Sequence, residues 1–151
     1  MTQAQFNDFM EVIFAPYVAE RAAADHVPTE LAAQFVRDQH ARLLPHGHLT
    51  AGHQFLHIVS ASENQPVGGV WFMVDVENKD AFLYNITVFA QYRRRGFASE
   101  GLMQVEKMAC AAGCATLGLN MFSSNAGAIA LYCQRGYGTV SAYMNKVLSA
   151  D

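Results

Sequence analysis

The residues with the most chemical content lie in one stretch, Ile86-Thr87-Val88-Phe89-Ala90-Gln91-Tyr92-Arg93-Arg94-Arg95-Gly96-Phe97-Ala98-Ser99. An apolar strand-like run ends, a loop with consecutive arginines follows, and small residues open a helix. The first backbone N–H groups of a helix have no partner within it, and the helix dipole adds positive potential, so anions are attracted there. Gly96 and Ala98 let a ligand approach the backbone closely. Arg93, Arg94 and Arg95 add charge that can neutralise phosphates. The combination points to a phosphate-bearing ligand at this helix start. On spacing alone, a basic turn whose small residues serve only packing stays open as an alternative. The GxxxxGK[ST] P-loop is absent, and so is the dinucleotide fingerprint GxGxxG with an acidic residue after the next strand.

Other reactive side chains make weaker patterns. Cys110, Cys114 and Cys133 are odd in number and lack a disulfide-framework spacing. Cys110 and Cys114 sit four apart without a second Cys or His pair, so no zinc site is expected. His46-Gly47-His48 reads as a solvated loop, and no metal is expected overall. The net charge of −3 and pI near 6.0 argue against a nucleic-acid partner, which wants a basic face. The N-terminal MTQAQFNDFMEV lacks the basic start and apolar run of a signal peptide. No apolar stretch reaches the ~20 residues of a membrane span, so no membrane partner is expected and the cytoplasm is the expected compartment.

These groups must be held by a fold. With 151 residues, 52% hydrophobic and only 15% charged, the chain reads as one globular domain over residues 1–151. Phe6, Phe9, Met10, Ile13 and Phe14 recur at helical spacing, predicting a helix from near Gln3 that Pro16 kinks or ends. A second helix is predicted after Pro28, with Leu31, Ala32, Phe35, Val36 and Leu43 on one face; Gln39 and His40 interrupt it, and Pro45 stops it. The period then changes to that of strands over Gln54–Val59, Val67–Val74 and Ala81–Phe89, separated by turns at 62–66 and 77–80. A helix is predicted from about Gly96 with Gly113 as its C-terminal glycine. A strand over Thr116–Phe122, a helix over Asn125–Gln134 and a last strand over Tyr137–Val147 complete the order. The predicted class is α/β in the sense of an α+β mixed sheet: mostly antiparallel, with a parallel βαβ unit in its second half and about four flanking helices.

The stretch Val88 to Ala98 resembles the acetyl-CoA loop of the GNAT superfamily of N-acetyltransferases, whose pattern is Arg or Gln, two residues, Gly, one residue, Gly or Ala. Arg93, Gly96 and Ala98 fill it. Downstream, Asn125-Ala126-Gly127-Ala128-Ile129-Ala130-Leu131-Tyr132-Cys133-Gln134-Arg135-Gly136-Tyr137 resembles the family's second motif, Asn-x-x-Ala-x-x-Leu-Tyr-x-x-x-Gly-Phe/Tyr. Two motifs in order and on the right elements are more specific than either alone. The resemblance covers Ala81 to Leu148; the earlier elements match only in order.

The resemblance implies acetyl-CoA as the acetyl donor, with backbone amides from about Arg94 to Ser99, Phe97 and Ala98 included, cradling its pyrophosphate. It implies that Thr87–Phe89 pairs with the pantetheine arm like an added strand, on a splayed parallel pair whose first strand carries a bulge. Val88 N–H is then the donor to the thioester carbonyl, where it stabilises a developing oxyanion. Asn125 would contact the donor near its amide chain, or serve as a helix N-cap, or both. Tyr132 would protonate the departing thiolate; a plain core tyrosine is the alternative. The general base is where the resemblance fails, because the strand offers Asn85 and Thr87 where many relatives carry a carboxylate. Water relayed by Asn85, Thr87 or Tyr84 is one solution, and His57 on a neighbouring strand another. Phe9, Phe14, Trp71, Tyr84, Met121 and Tyr143 are candidates to line the acceptor pocket.

These readings imply transfer of an acetyl group from acetyl-CoA to a primary amine of a small molecule or peptide, by direct attack in a ternary complex. A second reading, a catalytically weak acyl-CoA-binding sensor or interaction module, draws on the missing carboxylate. A third keeps the chemistry with a longer acyl donor. Either state of assembly, monomer or homodimer, is compatible with them.

Overall fold

The structure, a computed structural model, describes residues 1–148. Helix α1 runs Gln3–Asp25. It starts in a capping box: Thr2 Oγ1 accepts the Gln5 N–H at 3.3 Å while Gln5 Oε1 accepts the Thr2 N–H at 2.8 Å, satisfying donors the helix itself leaves bare. Phe6, Phe9 and Ile13 bury its first stripe. Pro16 does not end the helix. The proline deprives the Val12 carbonyl of its partner, but Val12 is exposed and the carbonyl is within reach of water, while Val18 beyond it is buried. Helix α2 runs Thr29–Leu43 directly after Pro28. Its buried stripe is Ala32 and Val36, and it continues at helical spacing to His40 and Leu43. Leu31 and Phe35, expected on that face, are exposed at 58% and 41%.

The strands are β1 (His53–Ser60), β2 (Gln65–Asp75), β3 (Asp80–Val88) and β4 (Thr116–Leu119). They form one sheet in the order β1-β2-β3-β4, with the first two pairings antiparallel and β3–β4 parallel. Helix α3 (Phe97–Ala111) makes the crossover between β3 and β4, and α4 (Ala126–Gln134) follows. The predicted mixed sheet with four flanking helices is what forms. Strand alternation sorts side chains to two cores. On one face Phe55 and Trp71 pack with Phe6, Phe9 and Ile13 of α1. On the other, Val70, Phe72 and Leu83 pack with Leu102 and Val105 of α3 and Tyr132 of α4. No described helix is long and apolar enough to cross a membrane.

Two expectations fail at the end of the chain. β4 stops at Leu119 rather than Phe122, and the last strand expected over Tyr137–Val147 does not form: residues 137–148 carry neither helix nor strand. Strand propensity needs an edge to pair with. Gly136, at φ 87°, turns the chain away after α4, and among the described residues nothing pairs with the outer edge of β4.

Candidate active site

The site begins at the parallel pair. β3 and β4 are in register only from Asp80 opposite Thr116 to Leu83 opposite Leu119. Beyond that point β4 has ended while β3 continues to Val88, so the side of β3 from Tyr84 to Val88 that faces away from β2 is open. Trp71 is paired with Asn85 and Phe72 with Leu83, which leaves Tyr84 as an extra residue, a bulge of the kind expected on this strand. Phe89 N–H donates to the Val67 carbonyl at 2.9 Å. Backbone groups alternate along an antiparallel strand, so the Val88 N–H and C=O point away from β2, into the opening. Arg93 Nε takes that carbonyl at 3.0 Å, leaving the N–H as the free donor beside it.

The loop leading out of β3 turns through Arg94 (φ 63°) and Gly96 (φ 85°) into α3. Gly96 is the N-cap and supplies no side-chain acceptor. The first intrahelical bond is Glu100 N–H to the Gly96 carbonyl at 3.1 Å, so the N–H groups of Phe97, Ala98 and Ser99 have no helical partner. A Cβ built on Gly96 would meet nothing within 4 Å, so the space before these amides is open. They fit a phosphate-bearing group. The arginines are less uniform than expected. Arg93 is tied to Val88, and Arg95 pairs with Glu63 of the β1–β2 turn at 2.7 Å, lying over the rings of Tyr92 and Phe97. Arg94 is exposed.

Across the sheet, against α1 and α2, Thr87 Oγ1 donates to Asn85 Oδ1 at 2.7 Å. Asn85 lines a pocket with Tyr17, Gln39, His40, Trp71 and Tyr84. Its volume is about 30 Å³, room for roughly two or three water-sized groups. Trp71 and Tyr84 stack with centroids 4.6 Å apart, and the His40 ring stands edge-on to Trp71 at 5.4 Å. Burial pushes the His40 pKa below its usual value and the Tyr84 pKa above. Gln39 Oε1 is buried with no hydrogen-bond partner among the described residues, an acceptor available to a donor inside the pocket. Trp71, Tyr84 and Asn85 are therefore gathered as expected, whereas Met121 lies beyond the end of β4, 42% exposed and outside the lining. Tyr143 is exposed on the C-terminal segment, Phe9 is core, and Phe14 lines an outer groove that shares His40.

Sequence reasoning missed His40 and Gln39, which read only as interruptions of an apolar helix face. A polar pair on an otherwise buried stripe was the available signal. His57, the histidine it did single out, lies on β1 opposite Gly69, away from the pocket lining. Its pKa is lowered, first by burial and then by the N-terminal ammonium. Among the described residues no three His, Cys, Asp or Glu side chains gather as a metal-holding group; His48 Nδ1 meets Gln3 Oε1 at 2.9 Å.

From the α3 side, Tyr132 is 9% exposed, and burial raises its pKa. Its phenol therefore keeps its proton at neutral pH, and no hydrogen bond of its hydroxyl is formed among the described residues. Asn125 is the N-cap of α4, with Oδ1 accepting the Ala128 N–H at 3.1 Å. The capping reading is thus realised, and the amide nitrogen is left over for a ligand.

Comparison with known proteins gives a concordant picture. Residues 17–138 match the family model described as acetyltransferase (GNAT) family. The chain is 27% identical over 150 residues to the uncharacterized N-acetyltransferase YycN of Bacillus subtilis, covering 98% of this chain and 96% of that one. It is 23% identical over 150 residues to YdgE of the same organism, also an uncharacterized N-acetyltransferase, covering 98% and 95%. The YycN crystal structure superposes with a TM-score of 0.91 at 26% identity, over 99% of this chain and 96% of that chain. An aminoglycoside 6'-N-acetyltransferase from Acinetobacter haemolyticus shares the fold, with a TM-score of 0.59 at 18% identity over 100% and 97% of the two chains.

Proposed function

From the premise that the chain belongs to the GNAT family of acetyltransferases, we propose that it moves an acetyl group from acetyl-CoA to the primary amine of a small molecule or peptide, by direct attack in a ternary complex. The observation that carries this reading is the open side of β3: a free Val88 N–H faces an opening that has the bare amides of α3 at one end and an amine-sized pocket on the other side of the sheet. Acetyl-CoA, when bound, supplies the activated thioester. The chain's own residues do the rest.

The α3 amides of Phe97, Ala98 and Ser99, helped by Arg94, hold the phosphates. The Asn125 amide nitrogen contacts the extended arm. Val88 N–H donates to the carbonyl oxygen as negative charge gathers on it, which is where a pre-oriented donor lowers a barrier. Tyr132 keeps its proton at neutral pH and gives it to the departing sulfur. The pocket receives the amine beside the Trp71 and Tyr84 rings, and Gln39 Oε1 accepts from it. His40 takes the proton that must leave the ammonium before attack. Two observations support it over His57: it lines the pocket with Asn85, and its ring stands against Trp71; burial holds it in the neutral, proton-accepting form at pH 7. Thr87 holds Asn85 in place through its hydroxyl. The cytoplasm is the compartment that suits its free cysteines, Cys110, Cys114 and Cys133.

The test is thiol release from acetyl-CoA by the purified protein across a panel of primary amines. Amine-dependent release supports the enzyme. Binding of acetyl-CoA without release by any amine would leave the acyl-CoA-binding module as the better description.

A further inference from the structure

The pocket beside Asn85 carries no formal charge. Its polar walls are Tyr17, Gln39, His40, Trp71, Tyr84 and Asn85, and the rest of the lining is aliphatic. No carboxylate is among these residues, and burial favours the uncharged form of His40. Formal charges stand outside. Glu11 lines the open groove that shares His40, and Arg37 lies over the Phe14 ring of that groove at 5.6 Å. Both are exposed and they are opposite in sign.

The aromatic walls do not replace the missing charge. An ammonium gains from an aromatic ring by sitting over its face. Trp71 lies between two stacked partners, Phe55 of β1 at 5.4 Å and Tyr84 of β3 at 4.6 Å between centroids, so both of its faces are taken. Its Nε1 donates to His53 Nδ1 at 2.9 Å. Asn85 Oδ1 already accepts the Thr87 hydroxyl. Gln39 Oε1 is the buried acceptor left without a partner among the described residues. One neutral acceptor suits one N–H donor. An ammonium brings three donors and a charge that is costly to desolvate without a counter-ion.

Proton transfer sets the same limit. His40, with its pKa lowered by burial, is a poor match for an alkylammonium with a pKa of about 10.4 and a closer one for an α-ammonium at about 7.7–8.0. At pH 7 only about one alkylamine molecule in a few thousand is neutral, against roughly one α-amine in ten.

Resting on the acetyl-transfer reading of this site, we propose that the acceptor is a primary amine of low basicity, whose carbon bears a carbonyl or another electron-withdrawing group, and that the pocket holds it uncharged. Alkylammonium ions and polycations are then poor acceptors. The charge-free lining and the covered faces of Trp71 select against them before any chemistry occurs.

Trp71 is the sole tryptophan of the chain, so its emission reports entry into the pocket. It is titrated with ethylamine and with 2,2,2-trifluoroethylamine, with and without coenzyme A, from pH 6.5 to pH 9. The two amines share a chain length, and the fluorines lower the basicity of the second. Apparent affinity for ethylamine should rise about tenfold per pH unit, following its neutral fraction, while that for trifluoroethylamine stays level. Asn85→Asp places a carboxylate in the lining and keeps an acceptor for Thr87. It should flatten the ethylamine profile and narrow the preference for the fluorinated amine by about tenfold or more; should this variant fail to fold, the wild-type profiles decide. Ethylamine that binds equally well at pH 7 and pH 9, ethylamine that binds more tightly than trifluoroethylamine at pH 7, or no response to either amine would overturn the proposal. Thiol release from acetyl-CoA is read separately. The expected binding profiles without release from either amine would count against acetyl transfer and leave the preference of the pocket standing.

Discussion

In the proposed reaction Tyr132 and His40 take opposite proton roles, because burial pushes two different acids in opposite directions. Desolvation disfavours the charged form, so a phenol holds its proton more tightly and an imidazole gives its proton up more readily. Tyr132→Phe keeps the ring among Leu102, Val105 and Phe72 and removes only the proton donor. Turnover should fall by about 10²–10⁴, with the acetyl-CoA dissociation constant and melting temperature close to wild type. Unchanged turnover would return Tyr132 to a packing role. For His40 the sign runs the other way. The imidazole must be neutral to accept a proton, and its lowered pKa makes it so at and below neutrality. kcat/KM should therefore hold through the ordinary imidazole value of about 6.5 and fall only at lower pH, with that inflection lost in His40→Gln and retained in His57→Gln. An inflection that survives His40→Gln and vanishes in His57→Gln would transfer the role to His57.

At the scale of elements, the site depends on how closely β2 and β3 approach. A Cβ on Gly68 would lie 2.1 Å from the Thr87 carbonyl oxygen and 3.0 Å from Val88 Cα, both backbone atoms that cannot rotate aside. Gly68→Ala must push β3 outward where Val88 presents its N–H. It should destabilise the fold by about 1–3 kcal/mol and weaken acetyl-CoA binding, read by thermal melting and calorimetry. A wild-type melting temperature would show that the register is different. Gly96 tests the other end. A Cβ there meets nothing within 4 Å, so Gly96→Glu suffers only the unfavourable positive φ, partly offset by a carboxylate at a helix N-terminus. The variant should fold and yet show no acetyl-CoA binding, because its charge occupies the position of the phosphates. Retained binding would move the phosphate site away from α3.

For the molecule as a whole, a ligand that binds only the folded state stabilises it by mass action. Acetyl-CoA at 100 times its dissociation constant should add about 2.7 kcal/mol, a melting shift of roughly 5–10 °C for a chain of this length. The absence of a shift at millimolar acetyl-CoA would remove the central claim. Acid acts on the same equilibrium. His40, His53 and His57 all have pKa values lowered, chiefly by burial. Unfolded histidines take up protons near pH 6.5 while the folded ones resist, so the unfolded state binds more protons and stability declines as pH falls through that value. The decline should level off once the folded histidines also protonate. Melting temperatures measured from pH 7.5 to pH 5 should decrease, and a flat profile would show these histidines to be solvated.

What the sequence determined by itself was local and periodic. Phe6, Phe9 and Ile13 announce α1, the alternation through β1 to β3 announces the sheet, and Arg93, Gly96 and Ala98 with Asn125 and Tyr132 carry the family resemblance, because its motifs need particular residues at short separations. Residues far apart in sequence came together only in the tertiary structure. Gln39 and His40 line the same pocket as Asn85 because α2 packs on α1, a contact that no spacing within α2 encodes. Register likewise places His57 opposite Gly69, outside the lining of the pocket that Asn85 shares. The last strand was misread because alternation at Tyr137–Val147 records a capacity to pair, and whether a strand forms is decided by where an edge is available. Within one chain, Gly136 turns that segment away from β4, so its propensity is left unspent.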